Sequence, residues 1–124
     1  MKEEVRRWLR LAEDDLKSAQ ASFDNKQYYV CAFLCQQSVE KGLKALIIKK
    51  TGQLIKIHDL VILGKKINLP QELLDKCDQL NGVYLDTRYV DMGGILPSEK
   101  FKKSNTIQFL RTCNEVLKWL KKKT

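Results

Sequence analysis

Proline and glycine are scarce in this 124-residue chain, at two and six residues. So few breakers exclude a many-turned β fold and any Gly-X-Y repeat, and they leave room for long helices. There is one histidine, His58, and no CxxC pair among the four cysteines. A zinc centre of the usual Cys/His spacing is thereby excluded, and no metal or other cofactor is expected. Phosphate loops of the GxxxxGKS/T or GxGxxG type are missing, as is a GxSxG nucleophile elbow. The longest charge-free stretch of the first half, Gln27 to Val39, has thirteen residues, against ~20 needed to span a bilayer. The first ten residues, MKEEVRRWLR, lack the apolar core of a signal peptide. We therefore expect a cytoplasmic protein with no membrane contact. Its cysteines (Cys31, Cys35, Cys77 and Cys113) are expected to be reduced and buried.

What is present points to helices. At 44% hydrophobic and 31% charged, the chain suits one globular domain, taken as residues 1–124. Val5, Trp8, Leu9, Ala12, Leu16, Ala19 and Phe23 make a helical stripe over residues 3–23. A second helix over 26–50 is apolar nearly all round in its first half, then narrows to Val39, Leu43, Leu46 and Ile47 before Gly52 stops it. It reads as the central helix of a bundle, with two apolar faces that a second copy of the chain would help to cover. Asp59 suits the N-cap of a short helix, and Pro70 the first turn of a fourth. That fourth helix is expected to continue through Tyr84 and Arg88 toward Asp91. Ser98 is expected to cap a last helix over roughly 99–122. The sum is an all-α, antiparallel up-down four-helix bundle with one short additional helix.

Arg88 is the candidate of most interest. It continues the stripe of Leu73, Cys77, Leu80 and Tyr84, so an apolar face turns into Tyr84, Arg88 and Asp91. A partly buried guanidinium needs a carboxylate or a phosphate. An internal carboxylate such as Asp15 or Glu40 would serve as well as a ligand. A second candidate is the polar interruption Gln36-Gln37-Ser38-Val39-Glu40-Lys41 of the central helix, where Glu40 and Lys44 can pair at i,i+4. Its plainer reading is a bundle with one wet face. His58-Asp59 reads as a helix start. The net charge of +8 is uneven: residues 49–69 carry +4 and 98–124 carry +6, whereas 70–97 carry −3. Lysines 100, 102, 103 and 121–123 could meet phosphates, but a solvated helix is the plainer explanation of them.

Five segments together resemble the HEPN domain family: WLRLAEDDLKSA (8–19), CQQSVEKGLKALI (35–47), HDL (58–60), TRYVD (87–91) and the last helix. The central pattern Gln-Gln-x-x-Glu-Lys-x-x-Lys-Ala is the most specific of them. The resemblance implies a four-helix bundle with a short extra helix, acting as a homodimer. It also implies a minimal nucleotidyltransferase as partner, in a toxin–antitoxin-like pair. Catalytic members of the family are metal-independent endoribonucleases that set an arginine and, after four to six intervening residues, a histidine at the dimer cleft. Here only the arginine matches, as Arg88; Gly93, Gly94 and Ile95 occupy the histidine positions. The expectation is therefore a non-catalytic or weakly catalytic module that binds a nucleotide or RNA phosphate. Its candidate ligand-binding residues are Arg88, Tyr89, Asp91, Tyr84, Glu40, Lys41 and Lys44. The alternative is an endoribonuclease with a reduced site.

Overall fold

The computed structural model describes residues 2–90 and 92–124. Its helices are α1 (Glu3–Asp24), α2 (Tyr28–Thr51), α3 (Leu60–Lys66), α4 (Gln71–Asn81), α5 (Val83–Asp86), α6 (Pro97–Lys100) and α7 (Lys103–Lys123). No strand occurs among the described residues. The long helices α1, α2 and α7 together with α4 form an all-α four-helix bundle. A three-residue link, in which Lys26 takes φ 61°, turns α1 back along α2.

α2 is the axis of the molecule. α1, α3, α5, α6 and α7 all pack on it, and its residues are buried without interruption from Gly42 to Ile48. Close approach is possible because Gly42 lies where α2 meets α7. A Cβ there would stand 2.7 Å from Leu120 Cδ1, too near for any side chain without movement of the leucine. Ser38 anchors the other side by donating to the Ala12 carbonyl of α1 at 2.6 Å. Lys41 reaches Asp15 of α1 at 2.6 Å.

The second half of α2 is covered by the protein's own helices, whereas in its first half Tyr29 is exposed and Val30 and Phe33 are only half-buried. Two expectations need correction. The fourth helix is not continuous to Val90: α4 stops at Asn81, α5 adds one turn after Gly82, and the helix ends at Asp86. Asn81 turns its amide to the start of α3, donating to Asp59 Oδ1 at 2.9 Å while accepting from the Leu60 N–H at 2.8 Å. After Asp86 the Thr87 hydroxyl donates to the Val83 carbonyl at 2.7 Å, and the Arg88 N–H bonds the Leu85 carbonyl at 3.1 Å in a tightened final turn. Lastly, Ser98 lies inside α6 and caps nothing. Phe101 is buried (4% exposed) in extended backbone, with its ring edge-on to Phe109. Seating that ring interrupts the helix, and α7 begins afresh at Lys103, where the Lys102 N–H bonds Asn105 Oδ1 at 2.8 Å.

Candidate functional site

Gln36, Ser38, Glu40 and Lys44 of α2 lie inside the molecule, not on a wet face. Gln36, Glu40 and Lys44 follow one another at i,i+4 spacing along one side of the helix, and all three are buried. Gln36 Nε2 donates to Glu40 Oε1 at 3.3 Å, and Lys44 Nζ donates to Oε2 at 3.1 Å. The Glu40 and Lys44 side chains are only 8% and 7% exposed. A charge so deep is tolerated only when it is paired and hydrogen-bonded, and each supplies the other's compensation.

Glu40 has a third partner. His58 Nδ1 lies 3.0 Å from Oε1 and 3.2 Å from Oε2. The residue is held there from both ends of its connector. Gly52 ends α2 in the left-handed region at φ 74°. Asp59 then caps α3 by accepting from the Val61 and Ile62 N–H groups at 2.9 and 3.1 Å. The Asn81 amide beside Asp59 holds its carboxyl below the usual range, with the two N–H groups adding to the effect. The His58 ring stacks on Tyr84 of α5 at 5.1 Å and 18°.

Tyr84 joins this network to Arg88. The Arg88 guanidinium carbon lies 4.2 Å from the Tyr84 ring centroid and 5.1 Å from that of Phe33. Stacking suits a flat, weakly hydrated cation and leaves its in-plane N–H donors free to bond. Neither Asp15 nor Glu40 pairs with it: Asp15 holds Lys41, and Glu40 is taken by Lys44 and His58. Among the described residues Arg88 has no ion-pair partner, and it is exposed. It forms the rim of an open cleft of about 320 Å³ whose other walls are Tyr29, Val30, Phe33 and Thr87.

The candidates thus divide. Arg88, Tyr84, Glu40 and Lys44 belong to one connected set. Lys41, a step round the helix from Glu40, faces α1. Tyr89 is 62% exposed, and Asp91 lies outside the described residues. Phe33 and Tyr29 are not among the residues singled out from sequence, and His58 is read there as part of a helix start rather than as a site residue. For His58 the only sign was its place in the HDL segment, which the helix-cap role of Asp59 already explained. Several lysines proposed for phosphates are engaged within the chain: Lys121 with Glu13 at 3.1 Å, Lys100 with Asp86 at 3.3 Å, and Lys123 over the Trp119 ring at 5.4 Å. The four cysteines are buried free thiols. Hydrogen bonding to Cys113 and Cys31, with burial, pushes the Cys35 thiol up. Burial pushes Cys77 to about 12. Such thiols are poor nucleophiles. No cluster of three His, Cys, Asp or Glu able to hold a metal occurs among the described residues.

The family model for the HEPN domain matches residues 5–123. This chain belongs to the HEPN domain family. The structure of TT1696 from Thermus thermophilus is similar to this HEPN chain with a TM-score of 0.90 and 25% identity, over 99% of this chain and 100% of that one. ST0689, an archaeal HEPN homologue, is similar with a TM-score of 0.83 and 27% identity, over 99% and 98% of the two chains. No curated protein is a significant match. Among the described residues no helix of the HEPN chain is long and apolar enough to cross a membrane.

Proposed function

We propose that this HEPN protein is a phosphate-binding module of a toxin–antitoxin-like pair. It acts as a homodimer, partners a minimal nucleotidyltransferase in the cytoplasm, and holds a nucleotide or RNA phosphate at Arg88. The carrying observation is the Arg88 guanidinium. It is spread on Tyr84 and Phe33 at the rim of a cleft, with no carboxylate paired to it among the described residues. A flat cation held by aromatic rings with its N–H edge open suits bidentate phosphate recognition. The apolar wall of Tyr29, Val30 and Phe33 suits a base or ribose packed beside that phosphate.

The self-association has support in the same region. Leu85, Tyr89, Val90, Met92, Ile95 and Leu96 are each 45% exposed or more, all within twelve residues of chain that include Arg88. Apolar exposure so concentrated suits an interface.

Titration of the purified protein with fluorescent ATP and with a single-stranded RNA oligonucleotide tests the binding. Arg88→Ala is expected to weaken it about 10- to 100-fold, the worth of a charged hydrogen-bonded contact. Arg88→Lys should recover only part, since an ammonium neither stacks nor forks. Equal affinity of wild type and Arg88→Ala for both probes would refute the site. A native pull-down that returns no nucleotidyltransferase would refute the partnership.

A further inference from the structure

Three helices end at one pole of the bundle, and each ends in lysines: Lys49 and Lys50 on α2, Lys65 and Lys66 on α3, and Lys121 to Lys123 on α7. Lys49 Nζ donates to the carbonyls of Lys123 and Thr124 at 3.1 and 3.3 Å, and Lys50 Nζ to that of Ile67 at 3.4 Å. The fold thereby joins the two most basic segments of the sequence, 49–69 and 98–124. From Phe33, in the Arg88 cleft, to Lys50 is about 25 Å along α2, at ~1.5 Å per residue. Helix dipoles account for lysines at helix ends. They do not account for the apolar floor among these. Leu46, Ile67 and Trp119 line a cavity of about 260 Å³ together with the exposed Lys50 and Lys123. Trp119 also lines a second cavity, of about 360 Å³, with Pro70, Leu73 and the exposed Lys118 and Lys122. The two carboxylates of that cavity, Glu72 and Glu115, both turn to Lys76, at 3.9 and 2.6 Å. The four lysines of the two cavities form no ion pair among the described residues.

We propose that this pole is a docking groove for an acidic segment of a partner protein. The segment sets a large apolar side chain in each of the two cavities that share Trp119, and carboxylates against Lys50, Lys118, Lys122 and Lys123. The groove is independent of the Arg88 site. Charge decides the sign of the partner, because four ammonium groups without ion-pair partners border the groove while its carboxylates are already bonded to Lys76. The floor decides that the partner is a protein. An apolar anchor pocket inside a charged rim that steers the encounter is the anatomy of a protein interface. A nucleic acid fits the groove less well. Single strands are held by open aromatic faces and by the forked bonds of arginine. Here Lys123 Nζ stands over the Trp119 ring, 5.4 Å from its centroid. Pro70 and Leu73 offer a base nothing to stack on, and among the described residues no arginine lines either cavity. Glu72 and Glu115 would also face a continuous phosphate backbone, whereas a peptide can place an apolar side chain there.

A random library of short peptides displayed on phage, selected on the immobilised full-length protein, tests this. The enriched peptides are expected to carry net negative charge and at least two large apolar side chains. One of them, made as a fluorescein conjugate, is then followed by fluorescence anisotropy. Lys50→Glu with Lys122→Glu reverses one exposed charge at each cavity and leaves the core intact. It is expected to weaken the peptide at least about 10-fold. Raising NaCl from ~0.05 to ~0.5 M should weaken it too, by screening. Replacing the apolar residues of the peptide with serine should abolish binding, since charge alone does not fill the cavities. Arg88→Ala should leave the affinity within about twofold, because that cleft is remote. The inference is overturned if no acidic peptide is enriched, if the double lysine variant, folded by circular dichroism, binds the peptide as wild type does, or if the serine peptide binds equally. It is also overturned if a single-stranded oligonucleotide binds more tightly than every enriched peptide and loses that affinity in the same variant, which would make the pole a nucleic-acid surface. None of these outcomes touches phosphate binding at Arg88, so the two readings fail separately.

Discussion

The buried carboxylate of Glu40 accepts from Gln36 and Lys44 and lies 3.0 Å from His58 Nδ1. Its removal strands the Lys44 ammonium in an apolar interior. Glu40→Ala is therefore expected to destabilise the protein by about 3–5 kcal/mol, measured by urea unfolding. Replacing both members together, as Glu40→Met with Lys44→Met, should restore much of that, because a buried pair contributes little net stability over well-packed apolar side chains. The i,i+4 pairing of Glu40 with Lys44 was legible in the sequence; its burial was not. Helical spacing places two residues on one face but does not say what covers that face. The thiols make a complementary case. Cys31, Cys35, Cys77 and Cys113 sit within apolar stripes of their helices, and burial followed from the pattern. All four are expected to resist a thiol reagent such as DTNB at neutral pH until denaturant is added. Fast labelling of the native protein would contradict the packing described.

At the scale of elements, the junction of α3 and α4 holds the site's connector in place. Asp59 caps α3, and Asn81 at the end of α4 bonds both Asp59 Oδ1 and the Leu60 N–H. Asp59→Ala is expected to cost about 1 kcal/mol, read as a fall in Tm of about 3–5 °C. The Asn81 amide and the two N–H donors lower the Asp59 pKa on folding. The unfolded chain therefore takes up that proton first as pH falls. The cap's extra stabilisation is present above the unfolded carboxyl value of ~3.9 and is lost as pH drops through the lower folded value. Asp59→Asn retains a capping oxygen without this titration, so its Tm should fall less steeply than that of wild type over that acid range. The cap and Pro70 were legible because their signals are local. The ends of α5 and α6 were not. The stripe through Leu80 and Tyr84 runs on to Arg88 in sequence, but Thr87 closes the helix beneath it. Phe101 breaks the last helix because its ring has a place in the core, and that place is built by distant residues.

At the scale of the whole molecule, exposed apolar side chains gather between Leu85 and Leu96, in the one segment of negative net charge after residue 48. If this is where two copies meet, Leu85→Glu with Val90→Glu should convert a sedimenting dimer to a monomer while leaving the helical circular dichroism unchanged. A wild-type monomer at micromolar concentration would exclude the interface.

By itself the sequence determined the helical class, the course of the long helices, the caps at Gly52 and Asp59, the family, and the choice of Arg88. All of these rest on spacing along the chain or on short patterns, and local backbone physics suffices to express them. The tertiary structure alone decided that Glu40 and Lys44 are interior, that Lys41 turns to α1, and that His58 meets a carboxylate eighteen residues away. It alone brought that histidine and Arg88 to one tyrosine ring. Those contacts join residues of different elements, and their partners are selected by which faces the bundle buries together, a property no single helix possesses.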